Sequence, residues 1–206
     1  MTDKPRVLLT RRLPDNVEAR ANRDYRATVN PSDALMSGAQ IVEAAQGHEA
    51  IICCATEAFT ADVINALPSE TKILATFSVG YEHIDIDAAH ARGLVVTNTP
   101  DAVTNATADI TMLCLLGAAR RGAQADALVR AGGWDKWSST MMLGMHVTGK
   151  RLGIFGMGRI GRAVAQRARG FDMQVHYHNR SRLEPDQELG AVYHESAESL
   201  LPVSDF

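Results

Sequence analysis

Short apolar runs alternate with helix-like segments through the first hundred residues. The run Ala50-Ile51-Ile52-Cys53-Cys54 is apolar at every position, which is typical of a parallel strand covered on both faces. Strands are predicted at 6–10, 25–29, 50–54, 72–77 and 94–97, and helices at 15–23, 33–45, 61–66 and 87–91. This alternation predicts an α/β fold with an open, doubly wound parallel sheet.

A long Ala-rich stretch at 104–131 follows and predicts one helix, which the pair Gly132-Gly133 ends. Its centre, 110–116, is apolar almost all the way round, so the helix must be buried on several sides. Two arrangements would bury it: packing inside one domain, or a symmetric homodimer built on the helix.

A strand-like run at 151–155 leads into a G-x-G-x-x-G pattern, and a segment with helical spacing comes next. Gly156 allows a sharp turn off the strand, and Gly158 allows the backbone to approach a pyrophosphate. Gly161 allows the helix to pack close to the sheet. This context favours a dinucleotide-binding site, and the alternative is an ordinary Gly-rich turn between strand and helix.

Arg159 and Ile160 occupy the start of the predicted helix. The first N–H groups of a helix lack intrahelical partners, and its N-terminus carries positive dipole charge, so both features favour a phosphate there. The sequence therefore predicts phosphate binding at Gly156, Gly158, Arg159, Ile160 and Gly161.

The residues after the next predicted strand, 173–178, indicate which dinucleotide is preferred. NAD-selective sites usually carry an acidic residue here for the ribose 2′-hydroxyl, but Asn179 stands at about that position. Arg180 and Ser181 could bind a 2′-phosphate, and Arg182 is a second cation. This favours NADP(H) over NAD(H), and the alternative is a solvated basic turn.

Composition excludes several classes of partner. The 206 residues carry a formal charge of −3, which gives no reason to expect binding to nucleic acid or to a membrane. Three cysteines without metal-like spacing, and the lack of an apolar core in 1–6, indicate a cytoplasmic protein. His176 and His178 share one strand face, but no third ligand is expected nearby, so no metal site is predicted.

Four motifs, in order, resemble those of the D-isomer-specific 2-hydroxyacid dehydrogenases, most closely the glyoxylate/hydroxypyruvate reductase branch. They are the loop 78–85 (SVGYEHID), the segment 98–109 (NTPDAVTNATAD), Gly132-Gly133-Trp134 with Trp137, and the glycine motif with Asn179-Arg180-Ser181. The resemblance implies a flavodoxin-like substrate domain at 1–98. It also implies a Rossmann domain at 99–206, incomplete at its C-terminal end, with a dimerisation helix at 104–131.

The resemblance also implies roles for individual residues. Val79 and Gly80 would offer N–H groups to the substrate carboxylate, Thr104 would face the cofactor near its phosphates, and Trp137 would extend toward the partner subunit's substrate pocket. The alternatives are a plain β-turn at Val79 and Gly80, an N-cap at Thr104 and a core anchor at Trp137. His83, beside the loop, is interpreted as structural.

The resemblance further implies that the catalytic Arg, Glu and His of the family lie beyond Phe206, so no catalytic residue is assigned within the chain. The expected function is NADP(H)-dependent reduction of a small 2-oxo acid to the D-2-hydroxy acid, with a truncated chain that is inactive by itself. The alternative is a catalytically silent, dimeric module that binds or senses a dinucleotide.

Overall fold

The computed structural model describes residues 4–206 as two units, of which the first ends at Ala102 and the second begins at Val103. The boundary expected from the sequence, between 98 and 99, lies slightly earlier. Residues 1–3 of the N-terminal segment considered above lie outside the described residues.

Five parallel strands form the sheet of the first unit. They are β1 (Arg6–Leu9), β2 (Arg26–Val29), β3 (Ala50–Cys53), β4 (Ile73–Thr76) and β5 (Val95–Thr97). Their order is β2-β1-β3-β4-β5. This order is the flavodoxin-like one, whose direction reverses between β1 and β3. The predicted doubly wound parallel sheet is therefore confirmed.

The strands of this sheet bury alternate residues on opposite faces. Leu8, Ile51 and Leu74 pack with α2 (Gly38–Ala44), α3 (Ala61–Ala66) and α4 (Ile86–Ala91). Val7 and Leu9 point to the other face, against α1 (Asp15–Asp24). Because both faces carry apolar side chains, the strands read as continuous apolar runs in the sequence.

The second helix is shorter than predicted, because it begins at Gly38 rather than at 33. Asn30 fixes the preceding chain as a loop by donating from Nδ2 to the carbonyl oxygens of Thr10 and Ala34. Ser37 and Gln40 then form a reciprocal capping box that starts the helix. Local side-chain hydrogen bonds at the start of this segment account for the difference.

The second unit contains a smaller parallel sheet. Its strands β6 (Arg151–Phe155), β7 (Gln174–His178) and β8 (Val192–His194) follow the order β6-β7-β8. Helix α7 (Arg159–Ala168) connects β6 to β7, and α8 (Ala197–Leu200) follows β8. Asp205 and Phe206 hydrogen bond to the free edge of β6 through the Arg151 carbonyl. This arrangement is the first half of a Rossmann fold.

The single helix predicted over 104–131 is wrong: the segment forms α5 (Thr104–Ala119) and α6 (Gly122–Arg130). Arg121 interrupts it with a left-handed backbone, at a φ of 55°. This conformation is costly for a residue with a Cβ and cannot continue a right-handed helix.

Helix α5 has one buried and one exposed apolar face. Met112 is buried against the core that α7 shares, and Arg167 of α7 contacts Asp109 at 2.7 Å. On the opposite face Ile110 is 57% and Leu113 64% exposed. Within residues 4–206 the second unit therefore buries only one face of α5.

No helix in residues 4–206 is both long and apolar enough to span a lipid bilayer.

Candidate functional site

The turn from β6 into α7 carries the glycine motif. Gly156 has a φ of +91°, in the region that favours glycine, and its N–H donates to the carbonyl oxygen of His178 at 3.0 Å. The strand thus ends with a sharp turn that is tied to the end of β7. This is the conformation that the first glycine of the motif was predicted to permit.

The other two glycines differ in what a side chain would meet. A Cβ on Gly161 would collide with the carbonyl oxygen of Gly156, so the helix approaches the strand as closely as it does only because this residue has no side chain. A Cβ on Gly158 would meet no atom within 4 Å. Gly158 therefore leaves open space at the N-terminus of α7, where a pyrophosphate group fits.

A cavity of about 560 Å³ opens beside this turn. It is lined by Phe155, Gly156, Met157, Gly158, His178, Asn179, Arg180, Ser181 and Leu183. None of these described lining residues is acidic, and Arg180 is a cation. The cavity is therefore suited to an anionic ligand, and its residues fit the phosphates and ribose of a dinucleotide.

Asn179 holds the glycine turn as well as lining the cavity. Its Oδ1 accepts a hydrogen bond from the Met157 N–H at 2.7 Å. Asn179 is neutral, so it differs from the acidic residue of NAD-selective sites, whose carboxylate accepts hydrogen bonds from the ribose. Arg180 and Ser181 follow it as exposed residues at the rim.

Arg182, expected to be a second cation for a phosphate, does not line the cavity. Its guanidinium binds Glu188 through two hydrogen bonds, at 2.7 and 3.2 Å. Glu188 is nearly buried and also accepts from the Tyr177 hydroxyl at 2.7 Å. The hydrogen bonds from Arg182 and Tyr177 lower the pKa of Glu188, whereas burial and the contact with Glu188 raise the pKa of Tyr177.

Sequence reasoning missed Glu188, and its signal was faint. The residue lies in an acidic turn, 184–188, where a solvated carboxylate is the ordinary expectation. The one available signal was Tyr177, which lies in an apolar strand. A tyrosine buried there needs a hydrogen-bond partner for its hydroxyl, and this could have suggested a buried acceptor nearby.

Residues Val79 and Gly80 lie in the loop after β4, in the first unit. The carbonyl oxygens of Ser78, Val79 and Gly80 accept hydrogen bonds from Thr99 N, Asn98 Nδ2 and Ser78 Oγ, at 2.9, 2.8 and 2.6 Å respectively. Among residues 4–206, no acceptor is bound to the N–H groups of Val79 and Gly80. The loop therefore has its carbonyl groups fixed and two donors available.

His83 is held within the first unit. Its Nε2 lies 3.0 Å from Thr76 Oγ1, and its carbonyl oxygen accepts from Phe59 N at 2.8 Å. These contacts support the structural role expected for it. Glu82, whose carboxylate occupies the space that a Cβ on Gly80 would fill, adds negative charge beside the loop.

Thr104 is half-buried at the first position of α5, and Val103 occupies the N-cap position, so the N-cap alternative is wrong. Thr104 does not line the 560 Å³ cavity. The neighbouring Asn105 contacts Arg167 in the last turn of α7, at the end away from the glycine motif. The structure therefore does not bring Thr104 to the predicted phosphate site.

Trp137 is 77% exposed, so the alternative in which it anchors a core is wrong. With Trp134, Leu128 and Met141 it lines a separate apolar cavity of about 240 Å³ in the second unit. The structure therefore leaves this aromatic side chain available to a ligand or a second chain.

A third histidine lies near His176 and His178, contrary to expectation. His194 on β8 places Nε2 3.0 Å from His176 Nδ1, and its carbonyl oxygen accepts from His178 Nδ1 at 2.9 Å. Burial, followed by the His194 and Arg151 charges, lowers the pKa of His176. Within residues 4–206 no cluster of three or more His, Cys, Asp or Glu side chains could hold a metal ion.

Comparison with protein families matches residues 7–199 to the D-isomer specific 2-hydroxyacid dehydrogenase, catalytic domain. The chain is 38% identical to glycerate dehydrogenase of Hyphomicrobium methylovorum and 41% identical to glyoxylate reductase of Thermococcus onnurineus. Each match covers 98% of this chain but only 64% and 62% of the respective relative. The chain thus spans less than two thirds of the length of these relatives.

Solved structures show the same similarity. A D-isomer specific 2-hydroxyacid dehydrogenase of Polaromonas sp., described as NAD-binding, superposes with a TM-score of 0.90 at 48% identity. The match covers 98% of this chain and 63% of that one. An NADPH-dependent glyoxylate/hydroxypyruvate reductase of Sinorhizobium meliloti, in complex with NADP and malonate, superposes with a TM-score of 0.83 at 28% identity. That match covers 98% of this chain and 61% of the other chain.

The two glycines give a paired prediction. Gly158→Ala should leave the thermal midpoint nearly unchanged and weaken ADP binding by about tenfold or more, because a methyl group fills the open space where the pyrophosphate fits. Gly161→Ala should lower the free energy of unfolding by about 1–3 kcal/mol, since its methyl group collides with the Gly156 carbonyl.

Thermal unfolding and calorimetric titration with ADP separate the two effects. Gly170→Ala, an exposed position with no atom within 4 Å of a Cβ, is the matched control. Unchanged ADP binding in a folded Gly158→Ala variant would contradict the assignment.

Proposed function

The chain belongs to the D-isomer specific 2-hydroxyacid dehydrogenase family, and we propose that it reduces a small 2-oxo acid, such as glyoxylate or hydroxypyruvate, with NADP(H). The observation that carries this proposal is the cavity beside the glycine turn, where Asn179 stands in place of the usual acidic residue and Arg180 and Ser181 also line the wall. The relatives named glyoxylate reductase and glycerate dehydrogenase support the substrate class.

Different residues of the chain would bind the cofactor and the substrate. The N-terminus of α7, at Gly158, Arg159 and Ile160, would receive the pyrophosphate, because the positive end of the helix dipole lies there. The N–H groups of Val79 and Gly80, which bind no acceptor within residues 4–206, would hold the substrate carboxylate. The chemistry that a bound nicotinamide dinucleotide supplies is hydride donation to the carbonyl carbon.

The preference for NADP(H) has support in the charges at the cavity. Arg180 is a planar donor suited to a phosphate, Ser181 adds a hydroxyl, and no described lining residue opposes a 2′-phosphate with negative charge. The Sinorhizobium structure holds NADP, whereas the Polaromonas protein is described as NAD-binding, so similar structures differ in the cofactor named for them.

Arg180→Ala should weaken NADPH binding far more than NADH binding. Losing one charge-assisted contact to the 2′-phosphate removes about 1.5–3 kcal/mol, which corresponds to about 10–150-fold in the dissociation constant. Arg130→Ala on α6, which does not line the cavity, is the control. Equal losses for the two nucleotides would refute the contact with the 2′-phosphate.

The chain would form a homodimer through the segment 104–131. The exposed face of α5 presents Ile110 and Leu113, and Val129 on α6 is also exposed. Apolar surface of this kind is stabilised when a second copy covers it, and a symmetric dimer covers the same face on both copies. In that assembly Trp137 would extend toward the partner's substrate pocket.

Replacement of Leu113 by Asp should dissociate the dimer, because it places a charge in the apolar interface. Size-exclusion chromatography with light scattering measures the mass. Leu201→Asp is matched to it, because Leu201 is 62% exposed and lies outside both helices. A wild-type chain that is monomeric at micromolar concentration would contradict the proposed homodimer.

Residues 1–206 are not expected to supply the proton that completes the reduction. The resemblance implies that the Arg, Glu and His of the reaction lie outside them, so the glycine motif would serve binding only. The three free cysteines, Cys53, Cys54 and Cys114, are consistent with our proposal of a reducing, cytoplasmic location.

A purified polypeptide of residues 1–206 should therefore bind NADPH without oxidising it in the presence of glyoxylate or hydroxypyruvate. A missing positioned acid alone removes roughly 10²–10⁴-fold of rate. Absorbance of NADPH reports turnover, and calorimetry confirms binding in the same sample. Turnover near ~1 s⁻¹ would contradict the expectation, and His83 would then be the first residue to replace.

A further inference from the structure

The loop that carries Arg180 and Ser181 is held at both of its ends. At the start, Asn179 accepts from Met157 through its side chain and from the Tyr193 hydroxyl, at 3.5 Å, through its carbonyl oxygen. Arg180 and Ser181 then extend past this anchor as exposed residues. Their positions therefore depend on what fixes the chain beyond them.

Glu188 is the group that fixes the far end. Both of its carboxylate oxygens bind the Arg182 guanidinium, and one of them also accepts from the Tyr177 hydroxyl. The same hydroxyl accepts from the Leu183 N–H at 3.2 Å. Two consecutive loop residues, 182 and 183, are thus tied to Tyr177, which is fully buried in β7.

This geometry points to Glu188 as a positioning residue for recognition of the 2′-phosphate, acting through Arg182 and Tyr177 to hold Arg180 and Ser181 at the cavity. The inference rests on the proposed preference for NADP(H), and it extends it to a residue that does not line the cavity. Glu188 carries negative charge and is nearly buried, so it does not itself bind the phosphate.

The physical reason is the cost of ordering an exposed loop. A contact between Arg180 and a phosphate contributes its full free energy only if the backbone around it is already fixed, since otherwise binding must also order the loop. Removing the Glu188 carboxylate leaves Arg182 with only its contact to the Tyr193 ring, and it leaves the Tyr177 hydroxyl without its acceptor. Both losses release the segment between 179 and 183.

The contacts also give Arg182 a defined role. If Arg182 were itself the phosphate ligand, Glu188 would compete with the phosphate for the guanidinium. Removing Glu188 would then tighten binding of a 2′-phosphate. If Glu188 positions the loop, its removal weakens that binding. The sign of the change therefore distinguishes the two roles.

The test uses adenosine 2′,5′-bisphosphate and 5′-AMP as probes on the full chain, titrated by calorimetry. Glu188→Ala should raise the dissociation constant of the bisphosphate by about tenfold and change that of 5′-AMP by less than about twofold. The reason is that only the 2′-phosphate is proposed to contact the loop. Glu184→Ala, an exposed acid in the same turn, is the matched control and should change neither affinity.

Two further variants keep the test decisive. Glu188→Gln keeps an oxygen that can accept from the Tyr177 hydroxyl, but it loses the negative charge that pairs with Arg182. It should weaken bisphosphate binding, and it provides the test if the alanine variant does not fold. In an Arg180→Ala background, Glu188→Ala should have almost no additional effect, because the residue acts through the positioned arginine.

The outcomes separate the inference from the proposal beneath it. If the wild-type chain does not prefer the bisphosphate and Arg180→Ala changes nothing, the NADP(H) proposal fails and this inference fails with it. If Arg180→Ala removes the preference but both Glu188 variants keep it, only the positioning role is overturned. Tighter bisphosphate binding in Glu188→Ala would also overturn the positioning role of Glu188, and it would indicate that Arg182 binds the 2′-phosphate.

Discussion

The close approach of α7 to β6 is the constraint on which the nucleotide site depends. It exists because Gly161 carries no side chain against the Gly156 carbonyl oxygen. The approach places the N-terminus of α7 at the end of the strand, beside the open space over Gly158. A helix displaced by even one methyl group would move these N–H groups away from the ligand they are proposed to receive.

The end of β7 completes the site from the opposite side. His178 and Asn179 accept hydrogen bonds from the backbone of the glycine turn, so the two strand ends hold one another. Beyond them, two arginines differ in their surroundings. Arg182 is paired with the nearly buried carboxylate of Glu188, whereas Arg180 lines the cavity. Residues 179–182 thus contain one cation in an ion pair and one cation at the cavity.

Most of the fold, but less of the site, could be predicted from the sequence. The apolar runs and the glycine spacing depend on local patterns, so the two parallel sheets and the turn at Gly156 followed from them. The break at Arg121 did not, because a left-handed residue other than glycine leaves no compositional signal. The capping that shortens α2 likewise depends on side-chain contacts made by Asn30 and Ser37.

Long-range pairing explains the remaining differences. Arg182 and Arg180 look equivalent in the sequence, and only the return of the chain at Glu188 distinguishes them. His194 approaches His176 because β8 pairs with β7, a register that no single strand reveals. Thr104 was assigned by resemblance alone, and the packing of α5 against the end of α7 leaves it outside the cavity.

A crystal structure of the chain with NADP bound tests the central claim most directly, because it shows which groups contact the 2′-phosphate. We expect that phosphate to lie between the Arg180 guanidinium and the Ser181 hydroxyl, with Arg182 still paired to Glu188. A 2′-phosphate bound by Arg182, or one exposed to solvent with Arg180 turned away, would contradict the account.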